Sequence, residues 1–506
     1  MAHIQKIMEE KRTKGKPSTR GKKLLYFLAG LSADEHVELA HWLISPLHGN
    51  SKQFSEMLTV ILEAMAESDE PSLSAEMFTD ILMPEREVDA KKANYTWVRI
   101  SQFQDAVFDF IAWKRYDRNL SLQKRFFFEE TCDRGWEKYI PNAYQASIKA
   151  LPEPIQASRF KEEMQVEMAY CHYLAGTVSP INNKHIYEVN LSLDHYFFLQ
   201  KLKYACADVL DGHAASSPNQ MALLKIVLQE VEGQIEALPI VIQTYWYTYK
   251  MLEAETSGST QGHIFFEQFK QLFENPNSFS DDEAMDLFIH GQNFCTLRYR
   301  KGETAFVDQL QELYDRVLGQ GVALTDGLMS SSFYKNAVEL MCRLARYEWV
   351  ENFVESYGKR ILNDPKNISY AYNKAVLSFY RKEYSAVVGL LYNIISELDD
   401  FHFGTGARVY LCQAIWETGD LEWLRNVLKA FQQHLRRNQE LSLGMRERYK
   451  NFATYLLRAC EAATAKPNHR LKKLEKLQSE IETNEPANLH RWIREKLRVS
   501  IEQYRT

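Results

Sequence analysis

Apolar side chains recur every third or fourth residue along nearly the whole chain. Phe54, Met57, Leu58, Ile61, Leu62 and Met65 form one such series. Ile100, Phe103, Val107, Phe110 and Ile111 form another, and Leu224, Leu228, Val231 and Ile235 a third. This is the spacing of amphipathic α-helices, whereas the alternation expected of strands is hard to find. A short helix with one apolar stripe must cover it with a neighbour, so a succession of them pairs and stacks. Composition agrees. Only 21 Gly and 14 Pro occur among 506 residues, too few for the turns of an all-β chain. A single core stops growing near roughly 250–300 residues, so the chain forms several domains or one elongated array. The expected fold class is all-α, an α-solenoid of stacked helical hairpins.

Helix starts are written into the sequence. Ser32-Ala-Asp-Glu35 and Ser280-Asp-Asp-Glu283 are capping boxes, in which Ser accepts from a free N–H and Glu reaches back. Ser217-Pro218 places Pro at a first helical position, where its missing N–H costs nothing. Short breaks at Pro46–Asn50, Asp211–His213, Ser257–Ser259, Asn275–Asn277 and Gly404–Gly406 fit hairpin connections. The C-terminal half carries a degenerate repeat of helix, turn and helix at Arg346–Trp349, Arg381–Tyr384 and Thr418–Leu421. Aligning Trp349, Tyr384 and Leu421 gives spacings of 35 and 37, near the 34 of tetratricopeptide (TPR) repeats. Ala375, Ala414 and Gly419-Asp420 suit that pattern; Val387 and the missing closing Pro do not.

These signals divide the chain into a flexible basic arm (1–23), an N-terminal helical domain (24–130), a TPR-like array (131–465) and C-terminal capping helices (466–506). The arm carries eight basic and two acidic residues, and 466–506 ten and six. With a total of −6, the body between them carries −16, which repels nucleic acid, although the arm could touch phosphates in a salt-dependent way. The arm has no aromatic for base stacking before Tyr26. Residues 1–23 lack a signal peptide's apolar segment and no run of about 18 apolar residues exists, so the expected location is cytoplasmic, with no membrane contact. The seven cysteines are scattered, which suits a reducing compartment.

The stretch LLYFLAGLSADEHVELAHWLISPLHGNSK (Leu24–Lys52) resembles the opening of a family of uncharacterised helical proteins common in Bacteroidota. Leu31-Ser32 with Glu35, then Ser45-Pro46 and Asn50, occupy the family's pattern; His48-Gly49 departs from it, where an aromatic is usual. Leu191–Leu210, with Leu193-Asp194, Tyr196 and Lys201-Leu202-Lys203, is similar to a second family segment. The resemblance touches about the first half of the chain. It implies a helical fold and carries no activity.

A search for chemistry finds no convergent set. Gly319-Gln-Gly321 lacks the third glycine and preceding strand of a dinucleotide loop and reads as a helix end. Ser158–Lys161 has SxxK spacing without its companion motifs. His36, His41 and His48 lie on one hairpin, but the five-residue step from His36 to His41 does not converge on a metal. Cys171 and His172, adjacent on a helix, point about 100° apart. Cys206 falls on an apolar stripe, and Asp281, Asp282 and Glu283 suit a helix's first turn. In Tyr245-Trp246-Tyr247-Thr-Tyr249, one helix cannot bury all four rings.

No cofactor, metal or catalytic residue is therefore expected. The leading expectation is a non-enzymatic scaffold or adaptor that binds another protein or peptide along a helical-repeat surface. By analogy with TPR grooves, Tyr372, Val376, Phe379, Tyr380, Gln413, Trp416 and Glu417 would face the partner. The alternatives are nucleic-acid association through the basic arm, and an enzyme whose site leaves no local motif.

Overall fold

Helices begin and end where the sequence supplies the chemistry. Ser32 accepts from the Glu35 N–H at 3.2 Å, and the Glu35 carboxylate returns to the Ser32 N–H at 2.9 Å. Ser280 likewise accepts from Glu283, and Asp281, Asp282 and Glu283 fill that helix's first turn, where the dipole favours negative charge. The computed structural model describes residues 21–46, 52–68, 71–82, 90–176, 183–210, 218–362, 364, 366–398, 401–437, 443–483 and 490–505. The basic arm up to Arg20, His48–Asn50, Asp211–His213 and Ser217 lie outside them. All regular structure among the described residues is helical, apart from isolated bridges joining Thr325 to Leu328 and Met329 to Ile361.

Packing divides the chain into two compact units, with the boundary between Phe197 and Phe198 and the short 154–156 stretch belonging to the second. The first unit opens with α1 (Lys22–Ala29), α2 (Ala33–Ile44), α3 (Lys52–Glu67), α4 (Thr79–Leu82) and α5 (Ala90–Asp117). Leu28, Leu43, Met57, Ile61, Phe103 and Phe110 form their core. Lys22 and Lys23, counted above with the arm, open α1, and Lys23 Nζ lies 5.0 Å from the Phe108 ring centre. A second core, with Phe128, Ile140, Ala143 and Val166, is built by α6 (Leu120–Asp133), α7 (Ile140–Lys149) and α8 (Ala157–Gly176). The next helix, α9 (Asn183–Leu210), contributes to both units.

The second unit continues with α10 (Pro218–Gly233) and then a series of hairpins: α11 (Ile240–Ser257) with α12 (Gly262–Leu272), and α13 (Asp281–Arg300) with α14 (Phe306–Gly319). Next come α15 (Ser331–Arg343) with α16 (Tyr347–Tyr357), and α17 (Ile368–Tyr380) with α18 (Tyr384–Ile394). The series ends with α19 (Phe401–Thr418) with α20 (Leu421–Arg437), α21 (Leu443–Ala463) with α22 (Pro467–Thr483), and α23 (His490–Arg505). Helices pack on their sequence neighbours and on alternate partners, α11 on α13, α15 on α17 and α17 on α19. That pattern is a helical-repeat solenoid. Trp246, Tyr245 and Tyr249 are buried on α11, and Tyr247 stays half-buried.

One turn geometry recurs inside the hairpins. Gly258, Gly302, Ala345, Lys382 and Gly419 all have positive φ, at 74°, 98°, 59°, 66° and 86°. In four of them the next N–H reaches back five residues: Ser259 to Ala254, Glu303 to Arg298, Arg346 to Met341 and Glu383 to Ser378. This is the Schellman closure of a helix C-terminus. Ala345, Lys382 and Gly419 are 37 residues apart twice over, and the helices that follow start at Tyr347, Tyr384 and Leu421. The counterpart of Tyr384 is therefore Tyr347, not Trp349, and the repeat is longer than a TPR unit. At the C-terminus Leu474, Leu477 and Ile481 of α22 and Ile493, Leu497 and Ile501 of α23 are buried, with α23 packed on α21 and α22.

Candidate functional site

The seven array residues chosen from sequence separate into two groups. Tyr372, Val376 and Gln413 are buried. They cannot line an open groove, because α17 is covered on one side by α15 and on the other by α19. The Tyr372 hydroxyl donates to Glu339 Oε1 at 2.8 Å, and its ring meets Phe403 at 5.1 Å. Gly406 permits this approach: a Cβ there would lie 2.7 Å from the Tyr372 oxygen. Lys335 of α15 places its ammonium 5.1 Å from the Phe403 ring centre on α19, bridging over α17. The inner face is thus filled by its own side chains.

Phe379, Tyr380, Trp416 and Glu417 remain half-buried, at the C-terminal ends of α17 and α19. Phe379 packs edge-on to Tyr384 at 5.8 Å and to Tyr410 at 5.0 Å. The Tyr380 oxygen accepts from the Arg343 guanidinium and the Tyr410 hydroxyl. Burial raises the Tyr380 phenol's pKa, with Arg343 opposing. Arg343 is 59% exposed while pairing with Glu339 at 3.3 Å. At the other edge Glu417 binds Lys496 of α23 at 2.5 Å, and Lys496 lies 5.9 Å from the Trp492 ring centre. Phe379 and Tyr380 thus form an aromatic pair beside Arg343, and Trp416 precedes the Glu417 that Lys496 holds. These side chains can stack and donate hydrogen bonds.

A concavity lies in the first unit, at a place where sequence reading weighed only Cys171 and His172 and placed no site. An open groove of about 770 Å³ runs between α6 and α8. Met164, Met168, Ala169 and Tyr173 give it an apolar wall, and Arg125, Glu129, Asp133 and His172 a polar one. Arg125 is held by Glu129 at 2.6 Å and Glu162 at 2.8 Å. Met164, Met168 and His172 follow one another by four residues, so their shared face was readable from spacing; the α6 residues opposite were not. Behind the wall, Tyr173 stacks on Tyr170, which packs on His185, and His185 pairs with the buried Glu167 at 2.7 Å. Glu167 also accepts from Tyr144 at 2.5 Å. Cys132 lines the groove together with His172, but burial and then Asp133 push its thiol up to about 11, leaving it protonated near neutrality.

The remaining sequence candidates have structural surroundings. His36 Nε2 bonds the Leu28 carbonyl at 2.9 Å, and Cys206 is buried with its sulfur 3.7 Å from the Tyr245 carbonyl. Gly321, with φ 75°, terminates α14. Among the described residues no three His, Cys, Asp or Glu side chains are grouped to hold a metal ion, and no helix is long and apolar enough to cross a membrane.

The fold places the chain in the class of all-α helical-repeat proteins. No family model matches its sequence, and no curated protein or solved structure matches it.

Proposed function

We propose that this protein is a cytoplasmic scaffold or adaptor that binds another protein through its helical-repeat array. The observation that carries the reading is that Phe379, Tyr380 and Trp416 stay half-exposed at the C-terminal ends of α17 and α19, with Arg343 on Tyr380 and Lys496 on Glu417, while Tyr372, Val376 and Gln413 are buried. Aromatic and arginine side chains supply most binding energy at protein interfaces. Seven free cysteines, five of them buried, suit a reducing compartment. The test is a photo-cross-linking amino acid placed at Tyr380 or Trp416 in the native cell, with Tyr392 on α18 as a control. A discrete partner joined at the first two positions and lost from a Tyr380→Ala/Trp416→Ala chain supports the proposal. Equal cross-linking at Tyr392, or a partner that survives the double substitution, rejects this surface.

A further inference from the structure

The groove between α6 and α8 has its own chemistry. Two of the four side chains of its apolar wall are methionines, Met164 and Met168, the latter 39% exposed. Unbranched thioethers re-pack around apolar side chains of different shape, which suits them to receiving a helix. The α6 wall is net negative: Arg125 is paired by Glu129, and exposed Asp133 adds a charge with no counterpart among the groove-lining residues of that helix.

We propose that this groove docks an amphipathic helix bearing leucine-like side chains on one face and lysine or arginine along its flank. The apolar face would lie on Met164, Met168 and Tyr173, and its cations would face Glu129 and Asp133. This surface shares no residue with the aromatics proposed for the array, and either proposal can fail alone.

Two cysteines make the test direct. Cys132 lines the groove, whereas Cys171, equally half-buried on α8, does not. The full-length protein is labelled with N-ethylmaleimide, and the rate at each cysteine is read by peptide mass spectrometry. Labelling is repeated with a designed Leu/Lys amphipathic helix and with its Leu/Glu counterpart. The Leu/Lys helix should slow Cys132 several-fold and leave Cys171 unchanged, and the Leu/Glu helix should protect neither. Asp133→Lys and Met168→Glu, both at exposed positions, should each abolish protection while the circular dichroism spectrum stays helical. If either fails to fold, salt takes its place in the wild-type chain, because raised ionic strength should weaken protection. The proposal is overturned by unchanged Cys132 labelling, by equal protection of both cysteines, by equal protection from the Leu/Glu helix, or by protection that persists in the variants.

Discussion

Exchanging residues between two equivalent hairpin turns gives a quantitative check on the repeat. Gly302 and Ala345 occupy the same left-handed position, with φ of 98° and 59°. A Cβ built on Gly302 meets no atom within 4 Å, so Gly302→Ala introduces no clash and its cost is conformational. That cost is about 1–2 kcal/mol. At Ala345 the same cost is already present in the native chain. Ala345→Gly removes it but adds about 0.5–1 kcal/mol of backbone entropy, for a net gain of up to about 1 kcal/mol. With an unfolding entropy near 2.1 cal/mol/K per residue, a unit of roughly 300 residues shifts by about 1.5 °C per kcal/mol. Gly302→Ala carries the same two terms with opposite sign, a net loss of up to about 1 kcal/mol, so thermal unfolding followed by far-UV circular dichroism should show it lower by up to about 1.5 °C and Ala345→Gly unchanged or higher by a similar amount. Gly389→Ala is the control. It sits inside α18 in open space, and should raise stability by about 0.5–1 kcal/mol. If Gly302→Ala rises in stability as Gly389→Ala does, the turn is not held in the left-handed region.

Other outcomes follow from single sites. Gly406→Ala should destabilise by about 1–3 kcal/mol through overpacking on Tyr372, and Tyr372→Phe in the same chain should recover part of that in a double-mutant cycle. Glu255 is buried between Arg298 and Lys301, each at 2.7 Å, so Glu255→Ala should cost about 2–4 kcal/mol by denaturant titration. Arg505→Ala, which breaks the exposed pair with Glu475, should cost less than about 1 kcal/mol. Burial, with Arg408 adding, lowers the His434 imidazole from 6.5 to about 4. Between those values the unfolded chain binds more protons than the folded one, so this residue's share of stability is present above pH 6.5 and is lost as pH falls. Denaturation midpoints measured across that window should flatten in His434→Gln.

Elements whose signals are local were readable from sequence. The Ser32–Glu35 and Ser280–Glu283 starts need only side chains three residues apart, and the turn at Gly419 announces itself with glycine. The repeat register was not readable, because Ala345 and Lys382 adopt the same positive φ without being glycine. Trp349, the more conspicuous aromatic, then attracted the alignment two residues away from Tyr347. The site was legible only at its edge. Periodicity identified the inward-pointing side chains of α17, but whether they meet solvent depends on α15 and α19, which cover Tyr372 from both sides. Gln413 is buried on α19 by the same packing. The α6–α8 groove needed both walls to be seen together. Met164, Met168 and His172 mark one of them, while Cys132 and Asp133 lie more than thirty residues earlier.

Native-state hydrogen exchange on the full-length chain tests the central claim, that each hairpin hides its apolar face against its neighbours in the stack. Amides of α17, covered by α15 and α19, should be among the slowest to exchange, and those of the terminal α23 among the fastest. Exchange in α17 as rapid as in α23 would contradict the stacked arrangement.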